Sequence, residues 1–346
     1  MRRCFATIGL AGAILVTTAT GALACGGLVA PNGSINLLRT ATLAAYVDGV
    51  EHYVTSFEFA GGGGEFGSIV PLPGIPSAVK RGGRWTLQRL QQEVAPPQQV
   101  ARNSAVLQAA KDSAEVILET QIDALDITIL KGGGDEVGVW AEANGFALTP
   151  DAPEVLDFYA ARSPIFMAAR FDVGRARDLG QSVGDGTPIH LSIPTPNPWV
   201  PLRVLGLGRQ PGEVIEADVF LLTEARPNLV PAPGTSDLSD GVALERSSEA
   251  SSLLLADLRS DKGMGWMPTE GMHLTYLRID ALAADLVHDL AIDASGTAIP
   301  SRIAAGLTAP PLPFAPAAEI PWILWAGAGL ALIVMLTVLT GAARMA

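Results

Sequence analysis

ITILKGGGDEVGVWAEANGFALTPDAPEVLDFYAARSPIFMAARF, residues 127–171, carries the pattern that decides the fold. Ile127 to Leu130 is a short β-branched run that reads as a strand, and Lys131-Gly132-Gly133-Gly134 ends it. Asp135 to Ala143 reads as a helix carrying Val139 and Trp140, closed by Asn144-Gly145 as a left-handed cap. Thr149-Pro150-Asp151-Ala152-Pro153-Glu154 then supplies a proline-assisted start for a second helix reaching about Ala161. Ile165 to Phe171 is strand-like again. Two helices between two strands break strict βαβ alternation, so the class is α+β.

Working outward, the N-terminal side is richer in strands. Thr42 to Val47 and Val54 to Phe59 flank Asp48-Gly49, a hairpin signal. Gly61 to Gly64 form a glycine run. A phosphate cradle needs a strand before such a run and a helix after it. Here a strand through Ile69-Val70 and proline turns follow, which fits a flexible loop. Trp85 to Glu93 reads as a helix stopped by Pro96-Pro97, and Arg102 to Thr120 as a second, polar one. On the C-terminal side, Ile189 to Ile193, Leu202 to Leu207 and Glu213 to Thr223 read as strands, residues 227–245 as a polar loop and Ser247 to Leu258 as a helix. Met272 to Ile279 is a strand, Leu282 to Leu286 a helical turn, and His288 to Ile292 a last strand. The expectation is a strand-dominated α+β domain with intervening helices, spanning residues 25–305.

The two ends point to location. Met1-Arg2-Arg3, an apolar run from Phe5 to Val16 and the small-x-small site Ala22-Leu23-Ala24 have the form of a signal peptide, residues 1–24. Cleavage after Ala24 leaves Cys25 first, and a lipid on Cys25 is the competing reading. Ile320 to Gly341 contains about 22 residues without a charge, enough at ~1.5 Å each to cross a ~30 Å hydrocarbon core. Trp322 and Trp325 sit at its first turns, where a headgroup layer favours amphipathic rings, and Arg344 follows in a short tail, residues 342–346. Residues 306–319 include Thr308 to Pro316, a proline-dense stretch that reads as a semi-rigid tether. The expected topology is a single pass through the plasma membrane, with the N-terminal domain outside and the C-terminus cytoplasmic.

Composition narrows the partners. The formal charge of −12 argues against nucleic acid and anionic lipid headgroups, both of which need Lys/Arg-rich surfaces. The two cysteines are Cys4, in the leader, and Cys25, so the mature domain has no pair for an intramolecular disulfide.

Chemistry-bearing motifs are sparse. His52, His190, His273 and His288 lie in or beside expected strands, and no two have the spacing of a helical metal pair. A sheet position accounts for each; an assembly of distant residues such as His190, His273 and a carboxylate is the alternative that spacing leaves open. Asp112, Glu115 and Glu119 have helical spacing that could form a carboxylate pair, but nothing nearby supplies a His or a second acidic cluster, so a solvated acidic face is the reading. Asp257 to Asp261 lacks the alternation of a calcium loop. Trp85, Trp140, Trp199 and Trp266 read as core residues, with a binding groove as the alternative. No catalytic residue is assigned, and neither a cofactor nor a metal is expected.

Several segments taken in order resemble one family. They are Cys25-Gly26-Gly27 after the leader, the strand through Phe66 into Val70-Pro71-Leu72-Pro73, and Trp140 to Phe146. Leu156-Asp157-Phe158-Tyr159 before the Ile165 to Phe171 strand, and Pro201-Leu202-Arg203 before the Val214 to Leu222 strand, complete the series. Together, over about residues 25–225, they resemble the bacterial domain-of-unknown-function 2330 (DUF2330) family. The resemblance implies an exported or membrane-anchored protein and brings no mechanism with it. Two functions follow as expectations: a non-enzymatic envelope protein that binds a ligand or partner, or a membrane-anchored hydrolase of envelope material using carboxylates and a histidine.

Overall fold

A computed structural model describes residues 22–23, 27–29, 31, 39–58, 65–94, 116–181, 186–233 and 241–309. All of these belong to one compact unit ending at Ala309. Most of the expected signal peptide, Cys25, the glycine run, Asp112, Glu115, the proline tether from Pro310 on and the apolar run from Ile320 lie outside the described residues. Among the described residues no helix is long and apolar enough to cross a membrane.

The first strands are β1 (Ala22–Leu23), β2 (Gly27–Val29), β3 (Arg39–Val47), β4 (Val50–Glu58), β5 (Phe66–Pro71) and β6 (Ala78–Arg81). Helix α1 (Thr86–Val94) precedes β7 (Val116–Ile122), β8 (Leu125–Lys131), α2 (Gly134–Ala143), α3 (Ala152–Ala160), β9 (Ile165–Phe171) and α4 (Val173–Asp178). Then come β10 (Gly186–Pro194), β11 (Trp199–Val200), β12 (Val214–Thr223), β13 (Asn228–Val230), β14 (Val242–Glu249), α5 (Ser252–Ser260), β15 (His273–Leu282) and β16 (Leu290–Asp293).

A large sheet runs β14-β15-β12-β3-β4-β10-β6, with β1 also on β3. A second sheet runs β2-β5-β9-β8-β7, and a small one runs β11-β16-β13. The β3–β12 and β1–β3 pairings are parallel and the other pairings antiparallel.

Alternation along the strands builds four layers. Tyr53, Ile189, Leu191, Val219, Leu221 and Leu277 from the large sheet pack against Phe66, Ile127, Ile129, Met167 and Phe171 from the second. The opposite side chains of the large sheet, Leu43, Val54, Phe220 and Leu222, meet Leu87 and Leu90 of α1 and Leu254, Leu255 and Leu258 of α5. The outer face of the second sheet, through Ile69, Leu130 and Phe166, meets Val137 and Trp140 of α2 and Val155, Leu156 and Tyr159 of α3. The order is therefore helices, sheet, sheet, helices. Central strands buried on both faces read as nearly continuous apolar runs, which is why Val214–Thr223 was legible.

The turns follow local chemistry. Asp48 and Gly49 both have positive φ (50° and 78°), the backbone of a two-residue hairpin turn between β3 and β4. In α2, the Gly133 N–H donates to Glu136 Oε2 at 2.6 Å, and Gly145 (φ 76°) supplies the left-handed residue just beyond the helix end.

Four expectations are corrected. Residues 116–122 form strand β7, not a helix end: Asp123 (φ 53°) and Ala124 turn the chain back into β8, with Ile122 opposite Leu125. Glu119 accordingly sits on an exposed strand and is no part of a helical carboxylate face. Leu202–Leu207 is a 3₁₀ turn (Arg203–Gly206), because side chains capture its amides before any neighbouring strand can. Asp289 Oδ1 accepts from Leu202 N (2.8 Å) and Arg203 N (3.0 Å), and Tyr159 Oη accepts from Val204 N (2.9 Å). Residues 227–249 hold β13 and β14 where a loop and a helix start were expected, since a strand on the sheet margin keeps polar residues on its open side. The short elements β1, β2, β6, β11 and α4 had no counterpart in the sequence reading.

Asp289 is the centre of a buried polar knot. Its Oδ2 takes the Arg162 guanidinium at 2.6 Å and its Oδ1 accepts from Tyr159 Oη at 2.8 Å. Arg162 also donates to the Ala304 carbonyl and lies 4.1 Å from the Phe158 ring centroid. The knot ties α3, the 3₁₀ turn and the residue-304 segment together.

Candidate functional site

His52 and His190 sit on adjacent antiparallel strands, β4 and β10, where His52 is paired with Ser192 and His190 with Val54. That register places the two histidines diagonally on one face, the face covered by α1 and α5. His52 Nδ1 and His190 Nε2 are 2.9 Å apart. One ring donates its N–H to the lone pair of the other, and the direction depends on the tautomer. In either tautomer the pair offers its surroundings one donor and one acceptor from the two remaining nitrogens.

Trp266 lies over the pair. Its ring is stacked on His52 with centroids 3.7 Å apart and planes 4° from parallel, and it reaches His190 at 5.2 Å. The indole belongs to the loop after α5, which the Asp261 carboxylate anchors. Asp261 accepts from Arg84 N (3.1 Å), Trp85 N (2.9 Å) and Thr86 Oγ1 (3.0 Å), so it satisfies the open N-terminus of α1 from the end of α5. Gly83 makes this close approach possible: a Cβ there would stand 2.2 Å from Thr86 Oγ1 and 2.4 Å from Asp261 Oδ2. Met264 N donates to the Asp261 carbonyl (3.1 Å) and Arg259 donates to the Met267 carbonyl, which fixes the loop on both sides of Trp266.

The electrostatics single out the same place. Burial pushes His52 down to about 4. Burial, with the positive charges of His52 and Lys80 as lesser causes, pushes His190 down to about 3. Both rings are therefore neutral near pH 7. On the opposite side of β4, the fully buried Glu51 is pushed up to about 8 by burial, against a lowering hydrogen bond from Trp199 N at 3.3 Å. Glu51 Oε1 is buried without a hydrogen-bond partner, as is the indole Nε1–H of Trp266. Three perturbed titratable groups on two neighbouring strands are the kind of concentration that functional sites show.

The other candidates separate. His273 Nε2 is 2.9 Å from Ser247 Oγ, so the partner that the structure gives it is a serine on β14 and not His190. His288 lies ahead of β16. Asp257 pairs with Arg89 at 2.9 Å and Asp261 caps α1, which gives both structural work. Trp140 and Trp199 are buried in the cluster under α2 and α3, and Trp85 opens α1 through its bond to Asp261. Among the described residues no three His, Cys, Asp or Glu side chains gather to hold a metal ion. His52 and His190 stand 138 residues apart in sequence, so no local motif reveals them; only the register of β4 on β10 does.

Comparisons with known proteins give one family. A family model described as an uncharacterized protein conserved in bacteria (DUF2330) matches residues 19–232. No curated protein matches. Among solved structures, a mutated baculovirus P35 after caspase cleavage aligns with 6% identity and a TM-score of 0.40, covering 75% of this chain and 99% of its own. Baculovirus P35 itself aligns with 10% identity and a TM-score of 0.38, covering 74% of this chain and 96% of its own. Similarity of that degree carries no inference about activity.

Proposed function

The chain belongs to the DUF2330 family, uncharacterized proteins conserved in bacteria, and from that premise we propose an extracytoplasmic protein, anchored in the plasma membrane by one C-terminal span, that binds a ligand without turning it over. The leader-like Met1–Ala24 and the uncharged Ile320–Gly341 support the location. The observation that carries the binding role is Trp266: its indole N–H is buried without an acceptor while its ring lies flat on His52. A buried donor left unpaired costs about 1–3 kcal/mol, which a ligand supplying an acceptor would recover. The imidazole pair beside it adds one donor and one acceptor.

The test is native mass spectrometry of the full chain released from intact membranes. Wild-type protein is expected to carry a non-covalent added mass that is absent from Trp266→Ala and His52→Ala. A bare mass in wild type, or an adduct unchanged in both variants, sinks the binding role. A reporter fused after Ala346 should be active only in the cytoplasm, and activity outside would overturn the topology.

A second reading, a hydrolase, is favoured by a different observation: Ser247 Oγ and His273 Nε2 are 2.9 Å apart on the margin of the large sheet, with Glu249 two positions along β14. A serine hydroxyl bonded to an imidazole is the beginning of an activated nucleophile. If it acts so, a fluorophosphonate probe labels the protein, and labelling disappears in Ser247→Ala and His273→Ala. Absence of labelling in wild type removes this reading.

A further inference from the structure

We propose that the segment around Ile299 rests on the outer face of the lipid bilayer, with the Ile299 side chain inserted at the headgroup layer. The inference rests on the reading that Ile320–Gly341 spans the membrane, and the partner it commits to is lipid.

Exposure on a fixed backbone is the first reason. Ile299 is 86% exposed, and Ile303 is 36% exposed. Single apolar residues on a surface are ordinary, but this one is held out by the hydrogen bonds around it. The Asp293 carboxylate accepts from Ser295 N (3.2 Å), Ser295 Oγ (2.8 Å) and Ala298 N (2.8 Å). Asn228 Nδ2 donates to the Ala298 carbonyl at 2.8 Å. On the other side, Ala304 N donates to Ser301 Oγ (3.1 Å), and the Ala305 carbonyl accepts from Asp289 N (3.0 Å). The turn that presents Ile299 is thus tied to the domain both before and after it.

Charge is the second reason. The chain has 35 acidic residues against 23 basic ones, a poor match to anionic headgroups over most of its surface. From Ala294 to Ala318 there is no acidic residue, and the one basic residue is Arg302, exposed beside Ile303. A cation close to a bilayer is drawn to its anionic lipids. Asp293, at the margin of the segment, has its carboxylate engaged by the bonds above. This is where approach to lipid meets least repulsion.

Reach is the third reason. Residues 310–319 separate Ala309 from Ile320, at most about 33–36 Å of chain when fully extended. A site on so short a leash meets its target at an effective concentration on the order of millimolar. A contact too weak to recruit a free domain is then enough to hold a tethered one.

The full chain carrying Cys4→Ser and Cys25→Ser is reconstituted in nanodiscs of phosphatidylcholine and phosphatidylglycerol. A nitrobenzoxadiazole label is placed on Ala298→Cys, an exposed position next to Ile299. The expected result is a blue shift in its emission and quenching by nitroxide-bearing lipids, both lost when Ile299→Asp is added. A label on Leu253→Cys is expected to keep its emission as in water. Leu253 is 67% exposed on α5, in the helical layer on the far side of the large sheet. Circular dichroism checks that each variant retains its fold.

An unshifted Ala298 label, a shift that survives Ile299→Asp, or an equal shift at Leu253 overturns the proposal. Carbonate extraction of native membranes reads the span by itself. A chain that resists extraction while its label stays in water loses only the surface contact. A chain that is extracted loses the span, and the contact falls with it.

Discussion

Asp289→Ala is expected to lose about 3–5 kcal/mol of folding stability, read as a fall in the urea midpoint at unchanged m-value. The carboxylate is fully buried and so is nearly all of its partner Arg162. Deleting it leaves a guanidinium inside the protein with a carbonyl and aromatic faces but no counter-charge. Leu202 N and Arg203 N lose their acceptor as well, and Tyr159 Oη loses the group that receives its proton. Uncompensated burial of a charge dominates these costs; each lost amide bond adds about 1 kcal/mol. Asp289→Asn keeps an acceptor oxygen and should cost less than alanine. A loss below about 1 kcal/mol for the alanine variant would show that water reaches Arg162 and that the knot is not closed.

The second large effect is a shift in the pH of greatest stability. Glu51 has its folded-state pKa raised to about 8, so the folded protein retains a proton that the unfolded chain releases above its ordinary value of 4.5. Stability from this group is complete below that value and is lost as pH rises to about 8. His52 and His190 act on the other limb. Their folded values, about 4 and about 3, lie below the ordinary 6.5, so the unfolded chain binds protons first and stability falls as pH drops below 6.5 toward 3. The protein should therefore be most stable near pH 6.5, where the two opposing slopes cancel. Glu51→Gln keeps the shape of the protonated side chain and removes its ionisation. It should add on the order of 3 kcal/mol at pH 8, move the optimum upward and leave the acid limb unchanged. Urea titrations between pH 4 and 9 check this. An unchanged alkaline limb in Glu51→Gln would mean that Glu51 ionises in place.

The segment 127–171 was readable because its signals are local: a β-branched run, glycines, an Asn-Gly cap and a proline-led helix start. The β3–β4 hairpin was readable for the same reason, at Asp48-Gly49. Residues 202–207 were not, because Leu, Val and Leu promise a strand while the amides are taken by Asp289 and Tyr159 from distant parts of the chain. β14 escaped because a marginal strand with Arg246, Ser247 and Ser248 looks like a loop until its neighbour β15 is known. The histidine pair escaped for the strongest form of this reason. Its meaning lies in a cross-strand register, and four histidines scattered in or beside strands give no hint of which two will meet.

The placement of β12 beside β3 has a consequence for the order of events during synthesis. The hairpin β3–β4 is complete once Glu58 has emerged, yet one margin of β3 is to be covered by a strand beginning at Val214 and supported by β15, which ends at Leu282. Until then the ribosome has released a twisted ribbon with an unclaimed row of amides and carbonyls. Sequence-distant pairing of this kind folds slowly and leaves open edges exposed on the way. If the chain is exported as proposed, that delay would be an advantage. The chain cannot finish its central sheet before nearly all of the domain has been made, which would keep it pliable for such a passage.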